Sequence, residues 1–277
     1  MDIFTIQLLA SFLVGGGVIT ALSFIVERVN KKYAGLILSS PTTTVLGLFF
    51  LGLTIGSDKV TTIIPATFLP LGISILFAAI YFYVAYYLHR FHFKKMKEIL
   101  LTYTLSIFVW LLLILPVILL RFSDITWGIV GCLSLIGLTH FLFSLFLQKE
   151  VTPKMVVYTI SQKIGRGIFI GLIITCIVYL GKTLGPFWGG VFSVFPGAFS
   201  STLPIFHWYN EPKNLYAFVR GIPYGAISVL VYLITVFITF PIFGYIWGTV
   251  ISYLTSLIYI AFASKYQTST NEEIGEK

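Results

Sequence analysis

Charge is what this sequence has least of. Only 10% of its 277 residues are Asp, Glu, Lys or Arg, against about a quarter in a soluble domain. With 57% hydrophobic residues and a mean hydropathy of +0.96, the chain cannot clothe a surface that faces water. Cysteine is nearly absent: Cys132 and Cys176 both lie in apolar stretches. A disulfide framework and C-x-x-C metal spacing are therefore excluded, and both thiols are expected as small buried side chains. There is no H-E-x-x-H, no G-x-S-x-G and no pair of carboxylates set up for acid–base work, so the chain reads as a non-enzyme with no cofactor.

Acidic residues are also missing where a cation carrier would need them. All ten sit in loops, at span ends or in the tail: Asp58, Asp124 and Glu211 fall in polar turns, and Glu27 closes the first span. A carrier of divalent cations, or one driven by a carboxylate relay inside a span, is disfavoured on that pattern. The net charge of +8 is divided among short loops, which is how membrane proteins fix orientation rather than bind nucleic acid.

What the chain does have is apolar runs long enough to cross a bilayer core of about 30 Å. The fold class is an all-α polytopic membrane protein of about nine transmembrane helices. The spans run 4–26, 34–55, 61–88, 99–120, 125–147, 164–181, 187–208, 214–238 and 241–263, the last two joined by a minimal turn at Phe240-Pro241. The first is a retained span, having no basic segment before it and too long an apolar stretch for a signal peptide. Basic residues gather in alternate loops: Arg28, Lys31 and Lys32, then Arg90, Lys94, Lys95 and Lys97, then Lys149 to Arg166 with Lys154 and Lys163. The positive-inside rule puts these loops in the cytoplasm, the N-terminus outside and the C-terminus inside.

Two segments repeat. KYAGLILSSPTTT (32–44) and FWGGVFSVFPGAF (187–199) align Gly35 with Gly190 and Pro41 with Pro196 at one offset of 155, with Tyr33 on Trp188. A polar turn follows each. Then Pro70-x-Gly72 matches Pro223-x-Gly225 at an offset of 153. One copy begins at the first span and the other at the sixth, so an odd displacement sends them through the membrane in opposite senses. The plan is an inverted-topology repeat of five plus four spans, with a proline-broken helix in each half. The divisions are 1–148 for the first repeat, 149–163 for a cytoplasmic linker, 164–263 for the second repeat and 264–277 for a polar tail expected to be disordered.

The pattern of an aromatic, a glycine, a proline six residues on, a polar turn, an arginine and Pro-Tyr resembles the GlpM family of small bacterial inner-membrane proteins. The second copy carries it best, in WGGVFSVFPGAF, Arg220, Pro223-Tyr224 and Tyr232. The first copy keeps Gly35, Pro41 and Pro70 but lacks the arginine, and has Leu71 in place of the tyrosine. The resemblance covers about 55 residues in each half and none of spans four and five. It implies short proteins that pair in opposite orientations, fused here into one chain in a prokaryotic plasma membrane. It supplies an architecture rather than a substrate.

A proline at 41 or 196 removes a helix hydrogen bond, and backbone freed in lipid must face protein or a wet cavity. Ser39, Ser40, Thr42, Thr43, Ser193, Ser200, Ser201 and Thr202 surround Pro41 and Pro196. They either mend the kinks and pack helices or, at matching places in an inverted repeat, line a substrate site. Arg220, expected about two turns into the eighth span, and Tyr224 beside it complete the candidate set. His207 lies near the end of the seventh span, and His140 in the fifth is expected as a satisfied buried histidine. The absent carboxylates, Arg220 and exposed helix N-termini favour a small anionic or polar solute, lipid-linked substrates included, with Na+ or H+ as coupling ion. The function expected is a secondary transporter or flippase-like carrier. The alternative is a non-transporting scaffold subunit of an envelope-assembly complex. Membrane lipids are the obligatory partners, and the reading also admits a homodimer.

Overall fold

The computed structural model describes residues 2–28, 41–146 and 158–275, with the backbone alone at 26–28 and 264–275. All regular structure among the described residues is helical. In chain order the helices are α1 (Ile3–Arg28), α2 (Thr42–Ile55), α3 (Ser57–Ile63), α4 (Pro65–Leu88), α5 (Lys95–Leu119) and α6 (Ile125–Ser144). They continue as α7 (Ile160–Thr183), α8 (Pro186–Ser193), α9 (Gly197–Tyr209), α10 (Pro212–Val219) and α11 (Ile222–Gly275). Among the described residues seven stretches are long and apolar enough to cross a membrane: Ile3–Ile25, Pro65–Phe91, Lys95–Leu119, Ile125–Ser144, Ile160–Thr183, Pro186–Tyr209 and Ile222–Ala263.

The count of seven departs from the nine spans expected, for two physical reasons. The second span contributes only the 14-residue Thr42–Ile55, and residues 34–40 lie outside the described residues. The eighth and ninth spans are merged in α11, which carries non-helical backbone at Gly244 (φ 69°, ψ 178°). Thr239 Oγ1 and Ser252 Oγ are hydrogen-bonded at 2.9 Å, although a straight helix would hold residues thirteen apart about 20 Å from each other. The chain therefore doubles back at Gly244, where a residue without Cβ takes a conformation closed to others. The turn is three residues beyond Pro241, the place expected for it. Past the second arm the helix runs on to Gly275, through a tail expected to be disordered. Once an apolar helix exists, propagation into residues free of proline costs little.

α4 is the axis of the molecule. It packs against α5, α6, α8, α10 and both arms of the α11 hairpin taken together, and Phe68, Phe77, Tyr81 and Phe82 on it are fully enclosed. Elsewhere the outer faces are mostly hydrocarbon, with Thr104, Ser134 and His140 among the few polar side chains on those of α5 and α6. Leu105, Phe108, Leu112, Leu115 and Leu119 on α5 and Trp127, Leu133 and Phe141 on α6 are all exposed. Apolar faces of that extent fit lipid and not water, so the molecule is compatible with an integral membrane protein.

α1 and α7 form the closest helix pair. Ser11 lies against Thr175 (3.2 Å) and Ser23 against Arg166 (3.3 Å), with Gly16 against Gly167 between them. Rising numbers on one helix meet falling numbers on the other, so the pair is antiparallel. Without a hydrophobic driving force in lipid, small residues let backbones touch. Gly167-Ile-Phe-Ile-Gly171 does this here: a Cβ on Gly167 would overlap Thr20 Oγ1, and one on Gly171 would sit 2.7 Å from the Phe12 carbonyl oxygen. Two expectations fail on this helix. Cys176 is exposed rather than buried, because it faces away from α1. Lys163 and Arg166, expected in a loop, are buried in the first two turns of α7. Their cations rest on the rings of Phe24 (4.3 Å) and Tyr158 (4.9 Å).

Two substitutions two residues apart separate contact from propensity. Gly167→Ala is expected to cost about 1–3 kcal/mol through overpacking. Gly165→Ala, where a Cβ meets nothing within 4 Å, should be neutral or stabilise by up to about 1 kcal/mol. Thermal unfolding of the two variants in one detergent measures the contrast.

Candidate functional site

α8 stops at Ser193 because Pro196 has no N–H to give and biases the residue before it away from helix. The helix restarts at Gly197, once Ser200 N–H can bond the Pro196 carbonyl at 2.7 Å. The break is buried on the protein side, with Ser193, Val194 and Pro196 all enclosed. Pro41 has the same arrangement. Val45 N–H bonds its carbonyl at 2.9 Å, and its backbone angles (φ −75°, ψ 33°) are close to those of Pro196 (φ −72°, ψ 45°).

The two breaks do not close on one another. α2 packs on α7 at Ile177, opposite Gly47, whereas α9 packs on it at Ile170 and Ile173, opposite Gly197. α7 thus touches both, and α2 and α9 share no extensive contact among the described residues. Ser39 and Ser40 lie outside those residues. Thr42 and Thr43 are half-buried where α2 begins. Ser193 mends its own helix, donating to the Gly190 carbonyl at 2.7 Å, and half-buried Ser201 does the same toward Ala198 at 3.0 Å. Thr202 is buried. Ser200 differs from these: its hydroxyl is buried beside Tyr103 in a geometry that leaves Oγ without a hydrogen bond.

Arg220 is not inside a span. It occupies the turn between α10 and α11, where Arg220-Gly221 interrupts the helix, and it is exposed. Tyr224 is exposed one turn further on, its ring edge-on to His140 at 5.6 Å. His140 itself faces outward from α6, contrary to the expectation of a buried histidine.

What faces the Pro196 break is α5, which the sequence reading left out of the site. Glu98, Thr102, Ser106 and Trp110 recur every four residues on its inner face, and all are buried. Thr102 and Ser106 return their hydroxyls to the carbonyls one turn back. Trp110 Nε1 donates to Ser74 Oγ on α4 at 3.1 Å, and its ring meets Phe195 of the break edge-on at 5.0 Å. The polar stripe ends in a carboxylate. Glu98 is 3% exposed, and its Oε1 lies 3.1 Å from His89 Nδ1 and 3.2 Å from His207 Nε2. His207 is fully enclosed, and its Nδ1 is 3.3 Å from the Tyr81 hydroxyl.

One protonation pattern satisfies the three contacts of this chain. Glu98 is ionised, His89 donates from Nδ1, and neutral His207 donates from Nε2 while Nδ1 accepts from Tyr81. One carboxylate oxygen thus ties together the end of α4, the start of α5 and α9. Ser200 and His207 lie seven residues apart on the same face of α9, so the break and the cluster share a helix face. The cluster opens to water at His89, which is 52% exposed. Beside it Lys95 Nζ donates to the Asn210 carbonyl at 3.0 Å. At the rim, Lys213 bonds Glu211 at 3.0 Å and holds that carboxyl below the usual range, an exposed pair that contributes little stability.

The reading that puts Glu98 in a solvated loop is thus corrected: it stands at a span end, as expected, but buried in the first turn of α5. Glu98 was counted with the basic loop before it, whereas α5 begins at Lys95 and carries it inside. The polar residues at 98, 102, 106 and 110 were the available signal. No family model, no curated protein and no solved structure matches this chain, so the likeness to GlpM proteins rests on its motif residues.

His207→Leu should destabilise the protein by about 3–5 kcal/mol, because it strands a buried carboxylate. The pair Glu98→Met with His207→Leu removes both partners and should recover most of that loss. Unfolding midpoints of the two variants measure the difference.

Proposed function

We infer that this protein is a secondary carrier of a small polar or anionic solute, working by alternating access between two inverted halves. The observation that carries the reading is a coincidence of helix boundaries. The offset of 155 takes Gly16, where α1 meets α7, onto Gly171 of α7 itself. It also takes the starts of α2 and α3, Thr42 and Ser57, onto those of α9 and α10, Gly197 and Pro212. The prolines before α2 and α9 share one backbone geometry, and the corresponding helices α1 and α7 are antiparallel. Corresponding helices that run in opposite senses, with matched breaks, are the plan on which many secondary transporters are built.

The substrate site in this reading is the Pro196 break and the wall facing it. Ser200, Tyr103, Ser106 and Trp110 offer hydroxyls and ring edges with no charge among them, and the Ser200 hydroxyl faces that of Tyr103 without a well-formed hydrogen bond. Leaving such a group dry costs about 1–3 kcal/mol, a cost that a polar ligand would remove. Arg220, at the second interruption of the same half, is the group that would read a negative charge.

Ser200→Cys, in a protein with Cys132 and Cys176 replaced by Ala, tests the alternation. A membrane-impermeant maleimide should reach it from each face of oriented vesicles. Labelling from one face only, or from neither, removes the carrier. A panel of small anions and neutral polyols, scored by thermal shift of the purified protein, tests the site. Shifts should vanish in Ser200→Ala, and Arg220→Ala should abolish those given by anions alone.

A further inference from the structure

We propose that Glu98 is the coupling-proton site of this carrier and that its protonation unlatches α9. The proposal rests on the carrier reading for the word coupling, and on the geometry of one oxygen for the rest. Glu98 Oε1 is the atom through which α4, α5 and α9 are joined, by His89 at 3.1 Å and His207 at 3.2 Å. Both bonds are charge-assisted while the carboxylate is ionised, about twice as strong as neutral ones. α9 begins at the Pro196 break and carries His207 near its far end, roughly 16 Å from the break along the helix. A helix hinged at one end and tied at the other is a lever.

The proton reaches Glu98 in two balanced transfers. Neutral His89, whose ring edge is in water, takes a proton on Nε2 and becomes imidazolium. Its Nδ1–H then passes to Glu98 Oε1, which leaves His89 neutral as the other tautomer and Glu98 as a carboxylic acid. One proton has entered, and no other bond has formed or broken. Oε1 now donates to His89 Nδ1, so it can no longer accept from both imidazoles, and the bond that remains to His207 has lost its charge. Tyr81 still holds His207 Nδ1, so the ring keeps its place on α4 while the tie to α5 slackens. Buried ionisable chains of this kind mark proton paths in membrane proteins.

The charged and titratable groups around the carboxylate leave it this role. Lys95, on its own helix, is bonded to the Asn210 carbonyl rather than to Glu98. Tyr103 is turned toward Ser200. From α4 comes Tyr81 and from the turn just after it His89, from α9 His207, and from the start of α10 the outward pair Glu211 and Lys213.

The test is the pH dependence of Ser200→Cys labelling from the His89 face, in the background without native cysteines. Normalised to a free thiol at the same pH, which cancels the thiolate fraction, labelling should be about fivefold faster at the acid than at the alkaline end of the profile, the factor that about 1 kcal/mol of lost tether gives. Adding Glu98→Gln, neutral and of the same shape, should label fast at both. If the Glu98→Gln protein keeps the wild-type pH profile, or labels slowly at both ends, the proposal is overturned. A half-exposed position is safer against misfolding, so His89→Gln is the second variant. It should move the midpoint of the profile, and an unmoved midpoint counts against the proposal. The carrier reading is judged apart from this. Labelling from the His89 face alone, with a pH profile abolished by Glu98→Gln, upholds the latch and removes the carrier. Labelling from both faces without pH dependence upholds the carrier and removes the latch.

Discussion

Backbone that leaves the helix inside a bilayer has no water to turn to, and that constraint organises this molecule. Each interruption must be covered by protein or mended by a neighbouring hydroxyl. Ser193 and Ser201 return their hydroxyls to carbonyls beside the Pro196 break, and Phe195 is capped by the edge of Trp110. At Gly244 the doubled-back arms supply their own cover, through Thr239, whose hydroxyl meets the Gly248 carbonyl at 3.3 Å and Ser252 Oγ at 2.9 Å. The enclosure of α4 follows from the same rule. An axis helix that borders several interruptions cannot also border lipid, so α5 and α6 stand outside it and present the leucine-rich faces.

The long apolar runs were legible in the sequence because a span of about 20 apolar residues admits few other structures. The Pro196 break and the helix start after Pro41 were legible for a similar reason: proline removes a donor wherever it stands. The reversal at Gly244 was expected at Pro241, because proline is the louder signal. Yet Pro241 fits at the end of the first arm, and the turn itself needs positive φ, which glycine supplies. The glycine contact of α1 with α7 was open to the same kind of reading, since Gly167 and Gly171 stand four apart in an apolar run. Nothing local could say which helix they meet.

Glu98 was harder, and the reason is physical. Its partners are nine residues away in one direction and 109 in the other, and a carboxylate directly after a lysine, beside a loop with five more basic or histidine side chains, reads as part of a solvated face. What distinguishes it is the continuation at 102, 106 and 110. A loop residue does not begin a stripe of hydroxyls and an indole at helical spacing. Arg220 erred the opposite way. An arginine amid apolar residues drew the eye as a buried charge, but the helix breaks at that point and the side chain emerges.

The buried network and the orphan hydroxyl sit on one face of α9 and differ in a way that bears on what each is for. At the His207 end the two imidazoles, Glu98 Oε1 and the Tyr81 hydroxyl are paired, and paired buried networks hold elements in a unique arrangement. At the Ser200 end the hydroxyl is enclosed beside Tyr103 without a well-formed hydrogen bond, which costs stability that the fold does not recover there. The helix is thus best satisfied where it is anchored and least satisfied beside the proline break, so its stability is placed at the His207 end.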